Sequence, residues 1–255
     1  MPFTVSHVVA VLPLTSGRVG RLFVPAALVI GSMVPDLPYF VPPHRGSGWS
    51  HSALGPVTID LALGLGLFAL WRLVLVHPLT DLTPPWLRAR LPVPAPLGRE
   101  SWWSVAVSVV VGATTHVVWD TFTHRDRWGT RNVGWLTQDA GVLPVFKWLQ
   151  YGSGVGGLLI LLVWVLHRLR ATPPSLRPEP LVGGRARTLA WVVLAVLLTV
   201  SVAATWLAGH RRTGVWLDEA VLVQVVTRTI TLGLAAGLVL CLAWQWFRIR
   251  QRGRP

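Results

Sequence analysis

Five apolar runs constrain this chain more tightly than any other feature, because about 20 apolar residues is the length of helix that crosses a bilayer core about 30 Å thick. They are Ala53 to Val76, Ser101 to Phe122, Phe146 to His167, Thr188 to Ala208 and Thr229 to Phe247. Backbone amides in lipid have only each other for partners, so runs of this kind fold as helices. The expected fold class is all-α, a polytopic transmembrane helical bundle with about five spans. An earlier run, Leu22 to Met33, is too short to cross and ends in Val34-Pro35-Asp36. It predicts a half-inserted or interfacial helix, with a span over residues 22–41 as the alternative. Composition agrees, since a chain 52% hydrophobic and 13% charged has too little charge to cover a soluble surface.

The formal charge of +13 would suggest nucleic acid in a soluble protein. Here the arginines cluster at the ends of apolar runs, so they are read as topology signals and nucleic acid is excluded as a partner. The tail after Phe247 carries Arg248, Arg250, Arg252 and Arg254, and residues 168–187 hold five arginines against Glu179. Both belong in the cytoplasm, which places residues 1–52 and 123–145 outside in a multi-pass protein of the cell membrane with a cytoplasmic C-terminus. Three parts are expected: a membrane domain over 1–167, an Arg/Pro-rich cytoplasmic linker over 168–187, and a C-terminal transmembrane hairpin with a basic tail over 188–255. Proline-rich stretches at Pro78 to Gly98 and Ala171 to Gly184 predict extended chain. The lone Cys241 excludes an intrachain disulfide, and the first residues lack the basic start of a cleavable signal. Tryptophans near span ends, such as Trp102, Trp103, Trp244 and Trp246, suit an interfacial belt. Gly152-x-x-x-Gly156 suits close helix packing. The last two spans read as a scaffold or oligomerisation element, so the partners expected are membrane lipid and, in a homo-oligomer, a second copy.

The chemistry-bearing pattern is His116-x-x-x-Asp120-x-x-x-His124 at the end of the second run. Four-residue steps along a helix put all three side chains on one stripe, where two imidazoles and a carboxylate can converge on a divalent ion, most often zinc. The bland alternative is a helix end whose polar residues meet the headgroups. Hairpin geometry adds to the pattern. The start of the first run and the end of the second share a membrane face, so His51 in Ser50-His51-Ser52 lies level with His124, and Asp36 and His7 can reach the same face. His51, His116, Asp120 and His124 are the expected metal ligands, with His7 and Asp36 completing the site or acting as base. Asp60, within the first run, is a buried carboxylate for which functional and structural readings weigh equally. Gln150 and Tyr151 open the third run, where they could hydrogen-bond the ligands. His44, His77, His167 and His210 are expected to be solvated.

Several short motifs recur here in an order that resembles a membrane family called domain of unknown function 4184. They are Met1-Pro2-Phe3-Thr4 with Ser6-His7, Gly31-Ser32-Met33-Val34-Pro35-Asp36, Ser50-His51-Ser52, His116 through Asp120 to His124, and Lys147 through Ser153. The resemblance covers about residues 1 to 165 and implies no reaction. More distantly, the Pro-Asp, Ser-His-Ser and His-x-x-x-Asp elements are similar to inner-membrane metal-dependent hydrolases. The His-x-x-x-Asp step is also similar to one element of zinc-dependent phospholipase C, although Thr121-Phe122-Thr123 lacks the proline that precedes its next histidine. The function expected is a membrane-embedded metal-dependent hydrolase of a lipid or interfacial phosphoester. A small transporter or ion-handling protein and a noncatalytic membrane scaffold are the alternatives.

Overall fold

A computed structural model describes residues 4–40, 48–93, 98, 100–176, 179–216 and 218–252. Met1 to Phe3, His44, Arg99, Arg177 and Arg254 lie outside the described residues. Among the described residues, five helices are long and apolar enough to cross a membrane. These are the first span Ile59–Leu82, the second Trp102–Thr123, the third Val145–Ala171, the fourth Gly184–Thr213 and the fifth Glu219–Arg252. The protein is a polytopic transmembrane helical bundle. The strand content among the described residues is a two-residue pairing of Asp139–Ala140 with Leu143–Pro144, turned at Gly141 with φ 79°.

Contacts divide the chain into two units. One comprises Phe3–Ala69 and Leu97–Arg168, the other Leu70–Pro96 and Leu169–Pro255. The first span starts in one and ends in the other, and residues 169–187 fall with the fourth and fifth spans.

In the first unit, the N-terminal segment folds as short helical turns from Thr4 to Thr15, followed by the helix Pro25–Met33. Pro25 sits in the first turn, where its missing N–H costs nothing. At nine residues this helix is far too short to span, and it breaks into a 3-10 turn, Val34–Asp36, where Pro35 enters. It packs against the second span through two glycines. A methyl group on Gly31 would overlap the backbone of Val109, and one on Gly112 would overlap the carbonyl of Leu28. Ala27, Phe68, Val105 and Val109 form the buried core around this crossing, with Ile30 and Leu65 against it. The Ser108 hydroxyl accepts the Val24 N–H at 2.9 Å and donates to the Ser104 carbonyl at 2.6 Å.

Two sequence expectations change here. The first span begins at Ile59 and not at Ala53, because Gly55-Pro56-Val57 forms a 3-10 turn first. Asp60 therefore lies in the first helical turn and not deep within the span. The second change concerns Gly152 and Gly156. A side chain at either would meet nothing within 4 Å among the described residues, so neither packs closely on another described helix. Gly157 makes the close approach instead, since a Cβ there would lie 2.9 Å from the Ser6 side chain.

In the second unit, the end of the first span continues as helix through Pro78, where extended chain is expected from the proline content. Pro78 has no N–H to offer, and the preceding turn widens to π geometry over Trp71–Leu75. The side-chain amide of Gln245 supplies the missing donors, reaching the carbonyls of Leu73 at 3.2 Å and Val74 at 3.1 Å. Asp81 accepts from the Leu181 backbone at 2.8 Å and the Trp244 indole at 3.0 Å, which anchors the 169–187 segment. Gly214 closes the fourth span in the left-handed conformation at φ 72°, and the Asp218 carboxylate caps the fifth by accepting the Val221 N–H at 3.0 Å.

Candidate metal centre

Four side chains converge in the first unit. Asp36, His51, His116 and Asp120 each offer one ligand atom, and these atoms lie within 4.8 Å of one another. All four residues are buried, with Asp36 1% and Asp120 2% exposed. Each comes from a different local device. Pro35 breaks the short helix and turns Asp36 inward, while Ser50-His51 precedes the first span. His116 and Asp120 stand one turn apart on the buried face of the second span.

The hydrogen bonds behind these residues fix which atoms face the centre. His116 Nδ1 lies 2.8 Å from the Ser32 carbonyl, which can only accept, so Nδ1 carries a proton and Nε2 is turned to the centre. The Ser50 hydroxyl donates to the Pro35 carbonyl at 2.8 Å and therefore accepts from His51 Nδ1 at 3.2 Å. His51 Nε2 is then also turned to the centre. Thr4 donates to Asp36 Oδ2 at 2.6 Å, leaving Oδ1 facing inward. Around the middle, His51 Nε2 is 3.4 Å from Asp36 Oδ1 and 3.2 Å from Asp120 Oδ2, and His116 Nε2 is 3.6 and 3.5 Å from the same two oxygens.

Asp36 Oδ1, His116 Nε2 and both oxygens of Asp120 are buried without a hydrogen-bond partner. Unsatisfied buried acceptors are costly singly and rarely cluster. Imidazoles anchored through Nδ1 with Nε2 turned to a common point are the arrangement in which histidine binds metals. Two carboxylates with two neutral imidazoles also balance a doubly charged cation. The group could hold a metal ion.

His7 and His124 flank this group. The His7 ring stacks on His116 with centroids 3.7 Å apart, and its Nε2 lies 3.6 Å from Asp120 Oδ1. His124 is not on the helical stripe of His116 and Asp120. The second span ends at Thr123, and His124 turns to extended backbone at φ −122° and ψ 141°. Its Nδ1 nonetheless comes 3.3 Å from Asp120 Oδ1, and its Nε2 accepts from the Gln150 amide at 2.7 Å. Tyr151 carries the Lys147 ammonium over its ring at 5.4 Å. Asp60 is fully buried with neither oxygen hydrogen-bonded, and it is not one of the four converging residues. The sequence did not mark Thr4, Ser32 and Ser50 as supports, although all three stand inside the quoted motifs.

The electrostatics outside the spans follow from burial. Burial, with the His116 imidazole beside it, pushes His7 down to about 4, so this ring is neutral near pH 7. Burial alone would raise the Asp36 carboxyl, but the His116 and His51 imidazoles and the Thr4 hydroxyl outweigh it and hold the group well below the usual carboxylate range. For His51, burial works against the charged form, and the Asp120 and Asp36 carboxylates overcome it and raise the group.

Fold and site together define a class: a multi-span helical membrane protein with a buried His/Asp centre able to hold a metal ion. The family described as Domain of unknown function (DUF4184) matches residues 1–244, and the chain belongs to it. That match takes in the fourth and fifth spans as well as the centre. No curated protein and no solved structure matches the chain.

Proposed function

We propose that the protein is a membrane-embedded, metal-dependent hydrolase of a lipid or interfacial phosphoester, with zinc held by Asp36, His51, His116 and Asp120. One observation carries the reading: four ligand atoms within 4.8 Å of one another, most of them buried acceptors left unsatisfied by protein donors. Two nitrogens and two oxygens suit zinc among the divalent ions. Such an ion supplies Lewis acidity, polarising an ester oxygen and making water acidic enough to attack near neutral pH.

The chain's own groups do the rest. Ser32 and Ser50 hold the two imidazoles in the tautomer that leaves Nε2 basic, and Thr4 fixes the Asp36 carboxylate. His7, neutral and beside Asp120, is placed to take a proton at Nε2 and return it to a leaving oxygen. His124, clamped by Gln150, orients Asp120 Oδ1.

The test is elemental analysis of the detergent-purified protein together with release of product from phospholipid vesicles. Stoichiometric zinc and hydrolysis, both lost in His116→Ala, are the expected result. Absence of stoichiometric metal after zinc supplementation ends the reading. Asp60, buried with both oxygens unsatisfied, favours ion handling as a second reading. Cation flux into proteoliposomes that Asp60→Asn abolishes would support it.

The placement proposed is the cell membrane with residues 1–52 outside and the C-terminus in the cytoplasm, on the strength of the arginines at 168–187 and 248–254. An alkaline phosphatase fusion is expected to be inactive after Arg250 and active after Gly48.

A further inference from the structure

A cavity of about 510 Å³ lies within the first unit, between the N-terminal segment, the second span and the third. Its walls are Val9 and Ala10, Thr115, Val118 and Trp119, and Gly156, Gly157 and Ile160, with His7 and Ser6 also lining it. We infer that this cleft binds one acyl chain of a membrane phospholipid and thereby brings that lipid's ester to His7 and the metal centre from within the bilayer. The inference deepens the hydrolase reading and rests on it for the ester, but not for the chain.

Three observations point to a hydrocarbon chain. First, the cleft opens on surfaces that face lipid: Val118 is 52% and Ile160 55% exposed on helices built to cross a membrane. Its residues on the third span, Ser153 to Ile160, begin about 12 Å along that helix at 1.5 Å per residue, a depth where only hydrocarbon is available. Second, the two neighbouring glycines shape it differently. Gly157 lets the N-terminal segment seat on the third span through Ser6, whereas Gly156 leaves open space where a side chain would stand. Trp119, whose indole donates to Ser153 at 3.1 Å, bridges the two spans beside it. Third, the polar end is His7, whose ring stacks on His116 and whose Nε2 is 3.6 Å from Asp120. The cleft therefore runs from lipid to the centre.

Size selects a chain over a helix from a second copy. A helix 10–12 Å across fills about 500 Å³ per turn, so the space holds one turn at most. An extended acyl chain threads it, and the volume is ordinary for a small-molecule site.

The experiment uses full-length protein in phospholipid nanodiscs containing a phosphatidylcholine with a photoactivatable diazirine midway along one chain. Labelled residues are mapped by mass spectrometry after irradiation. Labelling is expected to concentrate on Val9, Val118 and Ile160 over Leu162 and Val163, which are 53% and 66% exposed on the same span. Gly156→Leu should cut cleft labelling about tenfold, the low end of what an overfilled site costs, and leave Leu162 and Val163 unchanged. Val118→Trp fills the cleft from the opposite wall and should do the same. Even labelling along the span, insensitivity to both substitutions, or labelling by a diazirine fatty acid but not the phospholipid would overturn the inference. So would loss of a dimer in Gly156→Leu with no cleft labelling in the wild type. Metal content separates the two readings. Zinc retained without cleft labelling sinks the cleft alone, and cleft labelling in a protein that holds no zinc sinks the hydrolase alone.

Discussion

The two units of this protein handle polarity in opposite ways. In the second, the polar groups at the helix breaks and ends are paired within the unit, and buried atoms left over, such as His210 Nδ1 and Thr229 Oγ1, lie apart in the sequence and in no metal-binding group. The carbonyls that Pro78 deprives of a donor are taken by Gln245, Asp81 receives an amide and an indole, and Gly214 and Asp218 close the hairpin. In the first, Asp36, His116 and Asp120 are buried with atoms left unsatisfied and aimed at one point, although their other ends are firmly hydrogen-bonded. A membrane protein tolerates polar groups in either manner, but only in the first unit do the unsatisfied atoms described converge. The first unit's convergent atoms could hold a metal ion.

The comparison breaks most decisively at His116. His116→Ala removes a converging ligand, so the zinc content of the purified protein should fall from stoichiometric to background, together with any metal-dependent rise in melting temperature. Asp120→Asn keeps the shape and removes the charge, and it should release metal similarly. A structural hydrogen-bond partner would instead tolerate Asn. Gln245→Leu in the other unit should leave metal content untouched. Next in size is the crossing that assembles the centre. Gly31→Ala places a methyl group on the Val109 backbone, which no rotamer change relieves, and should cost about 1–3 kcal/mol and weaken metal binding by shifting Ser32. Gly237→Ala, where a methyl group meets nothing within 4 Å, is the matched control in the second unit and should be neutral in a thermal melt.

How much of this was legible in the sequence depends on whether the signal was local. Span number was legible because length and apolarity are properties of a segment, and the family motifs were legible as short strings. The start of the first span was not, because Ala53 to Val57 is apolar enough to continue a helix while Gly55-Pro56 turns it. That start placed Asp60 deeper along the span than the first helical turn, where it lies. The stripe of His116, Asp120 and His124 assumed a helix running one residue farther than Thr123, and terminal residues are where pattern reading is weakest. Asp36 was visible as a candidate, yet its place among His51, His116 and Asp120 depends on Gly31 meeting the second span at Val109 and Gly112 meeting the short helix at Leu28. Contacts between distant backbones leave no periodic trace.

Smaller effects sharpen the contrast. Gln245→Leu leaves the Leu73 and Val74 carbonyls without their donor, a loss of about 1–3 kcal/mol per buried group, reduced here because Gln245 is partly exposed. A lowered melting temperature with unchanged zinc content would place the damage in the second unit, and a loss of zinc would break the comparison.

The mildest prediction concerns protons, which would compete for the cation site proposed in the first unit. Metal binding needs neutral imidazoles, so affinity should fall as pH drops through the histidine range near about 6.5. His51 shifts the onset. In the metal-free protein the Asp120 and Asp36 carboxylates outweigh burial and raise this group, so a proton occupies its Nε2 at a higher pH than in a free imidazole. The weakening should therefore begin above 6.5 and approach about tenfold per pH unit for each proton displaced. His7, pushed down to about 4, adds nothing in this range. Asp36, held below the usual carboxylate range, remains ionised throughout it. Zinc affinity measured by competition with a chelator of known pH dependence, between pH 5.5 and 8.5, checks this. A curve flat above 6.5 would mean that the Asp120 and Asp36 carboxylates do not hold a proton on His51 in the metal-free protein.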